Sequence, residues 1–232
     1  MKRDQLTTLA GFLLSISTLT LSAKEYPIED FLDSTVFRGS SFSPDNEKIL
    51  VSSDATGILN ANAIATDGSA TVPLTDSTTD SIQAEAFFPR DERFLYSSDQ
   101  GGNELDHVFV RELDGSSKDL TPGEKLKASY DGFSQDLKSF FISTNERNPK
   151  FFDLYEYQVS DYTRKRIYQN DDGYSHMVVS PDKRYIALGK TDTRDNSDIY
   201  LYDTTTRETR HLTPHEGNIN HTPLAFTPDG KQ

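Results

Sequence analysis

The 232-residue chain contains no cysteine and no tryptophan, and only two methionines. Without cysteine there is no disulfide, thiolate zinc site, cysteine nucleophile or cysteine-linked lipid. A folded form must therefore rest on packing and hydrogen bonding. Basic residues are also scarce: 24 Lys and Arg stand against 37 Asp and Glu, a net charge of −13. A surface of that sign repels phosphate, and no basic stripe interleaved with aromatics occurs, which argues against nucleic acid as a partner. Long apolar runs are missing except near the start. There Lys2 and Arg3 precede an apolar, small-residue stretch from Leu9 to Leu21, and Leu21-Ser22-Ala23 offers a small-residue cleavage site. The pattern predicts an export signal over residues 1–23, because the stretch is short for a membrane span and Lys24-Glu25 follows at once. Its removal leaves a net charge of about −14 and no stable membrane span, and the expected location is periplasmic or secreted.

Sustained helical periodicity is absent as well. Only Ile28 to Leu32, within a leader segment of residues 24–34, suggests a short helix, with Phe31 and Leu32 expected to tuck toward the protein at a sheet edge. What the chain has instead is a repeat. Ser41-Phe42-Ser43-Pro44-Asp45-Asn46-Glu47-Lys48, followed by the apolar run Ile49 to Val51, returns as Phe87-Phe88-Pro89-Arg90-Asp91-Glu92-Arg93, Phe133-Ser134-Gln135-Asp136 and Val179-Ser180-Pro181-Asp182-Lys183. A fifth copy, Phe226-Thr227-Pro228-Asp229-Gly230-Lys231, comes last. With Phe42, Phe88, Phe133, Val179 and Phe226 as markers, the intervals are about 46, 45, 46 and 47 residues. That is the period of a propeller blade. Pro, Asp or Asn, and Gly suit the tight turn, and the apolar run after it reads as a strand buried on both faces.

The repeat predicts an all-β, incomplete propeller of four four-stranded antiparallel blades, at about 35–76, 82–122, 128–170 and 174–214, with a fifth beginning near 222. Blade one reads as strands at Val36 to Ser43, Lys48 to Ser53, Leu59 to Ala65 and Thr71 to Leu74. Blade two follows with Ile82 to Phe88, Arg93 to Ser98, His107 to Leu113 and Lys118 to Leu120, and blade four with His176 to Val179, Arg184 to Leu188, Asp198 to Asp203 and Glu208 to Leu212. Asp67-Gly68 and Asp114-Gly115 supply equivalent hairpins, which Ser160-Asp161-Tyr162 and Thr204-Thr205-Thr206 replace later. In blade three the signals are weaker, and Phe151 to Val159 is its clearest strand. Blades one, two and four end in Leu-Thr: Leu74-Thr75, Leu120-Thr121 and Leu212-Thr213.

No Gly-x-Ser-x-Gly elbow occurs; Gly39-Ser40-Ser41 comes nearest and lies in an expected strand. His211, His215 and His221 crowd one region; the spacing is compatible with a metal without demanding one, and they read as polar loop residues near a blade end. Asp192, Asp195 and Asp198 form an acidic stretch without the alternation of an EF-hand. Asp99-Gln100-Gly101-Gly102-Asn103-Glu104 lacks the helix or Lys of a phosphate loop. The acidic positions Glu146-Arg147 and Asp91-Glu92 cannot be oriented from sequence. On this reading no catalytic, cofactor-binding or metal-binding residue is assigned, and no cofactor is expected.

The Phe-Ser-Pro-Asp turn, the strand Asp198-Ile199-Tyr200-Leu201-Tyr202-Asp203, the closing Leu-Thr and the segment Ser97 to Glu104 resemble the N-terminal propeller of exported prolyl oligopeptidase-family serine peptidases, with the dipeptidyl- and acylaminoacyl-peptidase-like members nearest in character. The resemblance covers residues 24–232. It implies a seven- or eight-bladed propeller that gates an α/β-hydrolase domain and helps bind the N-terminal side of short peptides. This sequence ends inside blade five, so it reads as part of a longer precursor, inactive alone, whose open arc would be prone to self-association. The turn is shared with TolB-like periplasmic propellers, and a non-enzymatic envelope propeller that binds a protein partner is the alternative.

Overall fold

The computed structural model describes residues 24–32 and 34–230, without the side chain of Ser40. The export-signal expectation for residues 1–23 lies outside the described residues. Two units divide at Ser34. In the first, a single helical turn, α1 (Glu29–Leu32), is too short to be a stable helix by itself. The expected burial of Phe31 and Leu32 is corrected: they are 70% and 74% exposed, and the Phe31 ring packs edge-on against Tyr26 instead.

The second unit is four antiparallel four-stranded sheets, each built from consecutive strands. Blade one holds β1 (Phe37–Phe42), β2 (Lys48–Ser53), β3 (Asn60–Ala65) and β4 (Thr71–Pro73). Blade two holds β5 (Gln83–Phe87), β6 (Phe94–Ser98), β7 (His107–Arg111) and β8 (Ser117–Asp119). Blade three holds β9 (Ala128–Phe133), β10 (Ser139–Asn148), β11 (Phe151–Gln158) and β12 (Arg164–Tyr168). Blade four holds β13 (His176–Val179), β14 (Tyr185–Thr193), β15 (Asn196–Asp203) and β16 (Thr209–His211). The expected strands are present within a few residues, except that β14 runs on to Thr193 and meets β15 in a longer hairpin.

Strand periodicity explains why the second strand of each blade carries an unbroken apolar run, at residues 49–51, 94–96, 140–142 and 185–188. Phe94 and Tyr96 pack toward blade one with Leu50, Ala61 and Ala63, whereas Leu95 between them packs toward blade three with Phe140 and Ile142. Phe141 in turn faces Met177, Ile186 and Leu188 of blade four. Each middle sheet is buried on both faces. Gly39, at φ +73°, allows a close approach of backbones between blades: a Cβ there would stand 3.0 Å from the Ala84 carbonyl of blade two.

The turn that defines the repeat is built around a serine. Ser43, Ser134 and Ser180 accept a hydrogen bond from the backbone five residues on, at Lys48 (2.9 Å), Ser139 (3.0 Å) and Tyr185 (2.8 Å), and donate to Asp45, Asp136 and Asp182. Thr227 donates likewise to Asp229. The fourth turn position is left-handed throughout this set: Asn46, Leu137, Lys183 and Gly230 lie at φ of 61°, 56°, 62° and 67°.

Blade two corrects the register. Strand pairing places Phe87, opposite Phe94, where Phe42 (opposite Ile49), Phe133 (opposite Phe140) and Val179 (opposite Ile186) stand in the other blades. Phe88, taken as the marker from sequence, occupies the serine position, and its ring fills the layer between blades two and three beneath Arg93. The true markers face the preceding blade. Phe87 is therefore 4% exposed against blade one, while Phe42, with no preceding blade among the described residues, is 60% exposed.

The Leu-Thr ends have a physical role. Thr75, Thr121 and Thr213 accept an N–H of the third strand, from Ala61 (2.8 Å), Val108 (3.0 Å) and Ile199 (2.9 Å), where the short fourth strand has ended. We predict that Thr121→Val, nearly isosteric and fully buried, destabilises the chain by about 1–3 kcal/mol, because the Val108 N–H loses its partner. We predict the opposite for Leu137→Asn, a half-exposed left-handed position, with a gain on the order of 1 kcal/mol. Urea unfolding midpoints check both; a stable T121V or an unimproved L137N would contradict these assignments.

Candidate functional site

The first strand of each blade forms its inner edge, and adjacent first strands approach one another: the Phe87 N–H of β5 bonds the Ser41 hydroxyl of β1, and β9 and β13 line one cleft. Three of these strands carry a bulge at the same place. Pairing with the second strand skips between Arg38 and Ser41, between Ala84 and Ala86, and between Tyr130 and Phe133. A bulge leaves one residue out of the ladder and re-aims its side chain. The bulged position is Ser40 in blade one, Glu85 in blade two and Asp131 in blade three; blade four pairs regularly, with Met177 there.

Opposite the bulges the second strand repeats a serine. Ser52 accepts the Ala84 N–H (2.7 Å), Ser97 donates to Glu85 (2.7 Å), and Ser143 hydrogen-bonds Asp131. The fourth equivalent, Gly189, leaves room for Pro223, 3.1 Å from where its Cβ would be. Burial raises the Glu85 carboxyl above its ordinary range against the Ser97 hydrogen bond. Asp131 is pushed up to about 7 by the surrounding protein, with a further contribution from the Glu85 charge. Water still reaches Asp131, and screening by that water moderates the shift. Tyr130 between them rises in the same direction, first from burial and then from both carboxylates. Asp131 and Ser143 open into a cleft of about 550 Å³ between blades three and four, floored by Phe152, Tyr174 and Met177. Lys127 and Lys150 also line this cleft, Lys127 being paired with Asp106 (3.2 Å), so the acidic part of the wall is the stretch formed by Glu85 and Asp131 and backed by Tyr130.

The candidates named from sequence fall elsewhere. Asp91 is held by Arg93 (2.8 Å) and Glu92 by Lys48, and Glu146 and Arg147 bind Arg164 (3.0 Å) and the buried Asp153 (2.6 Å). The Gly101 and Glu104 amides already bond the carboxylates of Asp80 and Asp99. Gly39 to Ser41 lies in β1 as expected. Asp198 separates from exposed Asp192 and Asp195 and turns to the histidines, 2.9 Å from His211 Nε2 and 3.2 Å from His215 Nδ1. Sequence reasoning missed Glu85 and Asp131. Their spacing, one blade period apart, was the available signal.

No protein-family model matches this sequence, and neither does any curated protein sequence. Among the described residues no helix is long and apolar enough to cross a membrane. Solved structures do resemble the fold. TolB from Acinetobacter baumannii superposes with a TM-score of 0.57 at 18% identity, over 84% of this chain and 47% of that one. A puromycin-hydrolyzing peptidase from Mycobacterium tuberculosis gives 0.60 at 13% identity, over 82% and 33%. Prolyl oligopeptidase B from Galerina marginata gives 0.57 at 10%, over 75% and 26%. The chain thus spans half or less of each of these proteins, and at such identities what is shared is the β-propeller.

Proposed function

We propose that this chain is the substrate-gating propeller portion of an exported serine peptidase acting on short peptides, its inner wall holding the cationic amino end of the substrate. The observation that carries the reading is the pair of carboxylates, Glu85 and Asp131, presented by equivalent bulges of adjacent blades and backed by Tyr130. Asp131 lines the cleft and Glu85 lies near enough to influence it, so an ammonium group bound at this wall gains charge-assisted hydrogen bonds that a neutral end cannot make. The likeness to the propellers of the puromycin-hydrolyzing peptidase and prolyl oligopeptidase B supports the same reading. The 232 residues hold no nucleophile elbow, so the hydrolytic groups belong to another part of such a peptidase. The likeness to TolB over 84% of this chain favours a second reading, a non-enzymatic envelope propeller that binds a protein partner.

Fluorescence anisotropy with a labelled tripeptide bearing a free amino terminus, and with its N-acetylated twin, tests the proposal. The free amine should bind at least about five-fold tighter, and the double variant Glu85→Gln/Asp131→Asn should erase the difference. Affinity should rise with pH as Asp131 ionises, above the ordinary carboxylate range but no higher than about 7 because water screens it, then fall above about 8 as the amine loses its proton. In Asp131→Asn the rising limb should flatten. Equal binding of the two peptides would overturn the peptide reading and leave the protein-binding one.

A further inference from the structure

The end of blade four gathers a second group of side chains that neither the inner wall nor the peptide reading uses. Asp198 stands on β15, His215 in the loop after β16, and His221 on the segment leading to the fifth copy of the repeat. One potential ligand atom from each lies within 4.8 Å of the others. We propose that Asp198, His215 and His221 form a binding site for a divalent transition metal ion of the zinc type.

Four features of the geometry point to a cation. His221 is placed by its backbone: its N–H bonds both the Ser197 carbonyl (3.1 Å) and the Ser197 hydroxyl (3.0 Å), and its carbonyl accepts from that hydroxyl (2.9 Å). The imidazole beside Asp198 is therefore set by the neighbouring residue of β15 and not by a free loop. Second, His221 Nδ1 is buried without a hydrogen-bond partner, the one such side-chain atom among the described residues. An unpaired buried nitrogen costs free energy unless something occupies its lone pair or takes its proton.

Third, the surroundings of His215 are matched to a metal-bound ring. Its Nε2 faces Asn196 Oδ1 at 2.8 Å, an acceptor, so the proton belongs on Nε2. In a neutral ring that leaves Nδ1 bare toward two oxygens, the Asp198 carboxylate at 3.2 Å and the Thr213 carbonyl at 2.9 Å. Two acceptors facing a lone pair call for positive charge at that point. A metal on Nδ1 supplies it, and Nε2–H donating to Asn196 is then the outer-shell contact that orients metal-ligating histidines. Fourth, the carboxylate is held in place by Thr213 (3.0 Å) and by His211 (2.9 Å), whose ring stacks on Tyr200.

Two imidazoles and one carboxylate are a borderline donor set with a position left for water, which suits Zn²⁺, Co²⁺ or Ni²⁺ rather than oxygen-seeking Ca²⁺ or Mg²⁺. The ion would tie blade four to the segment that enters the next blade, where Ser197 and Asn220 already form a parallel bridge.

The test uses the full chain, stripped with chelator, and isothermal titration with Zn²⁺. One equivalent should bind. His221→Gln and Asp198→Asn should each weaken it at least about ten-fold, while His176→Gln, on β13 of the same blade, should leave it unchanged. As a readout independent of any variant's folding, Co²⁺ added to the unaltered chain should give the visible absorption of a four- or five-coordinate ion, and Zn²⁺ should bleach it. Absence of that band, or Zn²⁺ binding indifferent to folded His221→Gln, would overturn the site and leave a proton as the occupant of His215 Nδ1.

Discussion

A four-stranded blade has two apolar faces and can cover neither by itself. Everything else in this chain follows from that constraint. Leu95 must find Phe140 on one side while Phe94 finds Leu50 on the other, so each middle blade is stable only between neighbours. Burial of one such leucine is worth about 1.5–3 kcal/mol, and it is gained only when the next sheet is docked. The exposure of Phe42, set against the burial of its equivalent Phe87, shows the same rule at the first blade.

The polar repeats exist because these apolar layers end abruptly. The serine turn closes the inner hairpin and the Leu-Thr threonine closes the outer one, each answering a backbone N–H that the ladder leaves unpaired. Blade three solves the second problem differently. Asp153, wholly buried, takes the Asn170 N–H and is neutralised by Arg147 and Arg166. Donor and acceptor sides are exchanged there: the third strand supplies the acceptor and the residue after the fourth strand supplies the N–H.

This is why the blades were legible in the sequence and their details were not. Spacing, turn residues and alternation located the sheets even in blade three, where Gln135 replaces proline and Leu137 occupies a left-handed position. The one-residue slip in blade two arose because Phe87 and Phe88 both precede Pro89, and the serine that fixes the register elsewhere is missing. Phe31 and Leu32 looked like an apolar face, yet a four-residue helix offers too little area to dock. The sites were hidden for another reason. Asp198 and His221 read as members of two different loops, and only the pairing of Ser197 with Asn220 joins them. Glu85 looked like an ordinary strand residue and Asp131 fell in the stretch of blade three where no strand was read, because a bulge leaves no mark on composition.

The order of the strands has a kinetic consequence. Every sheet is assembled from strands adjacent in sequence, so within a sheet no paired residue is more than about half a blade away along the chain. The apolar layers join consecutive sheets, and Gln135 of blade three also donates to the Pro228 carbonyl of the fifth copy (3.0 Å). Such a chain has low contact order for an all-β protein, and its loop-closure entropies are correspondingly small. Strands leaving the ribosome can therefore condense on the face that the preceding blade leaves open, each blade gaining stability as it docks, so the protein can fold vectorially, in the direction it is made.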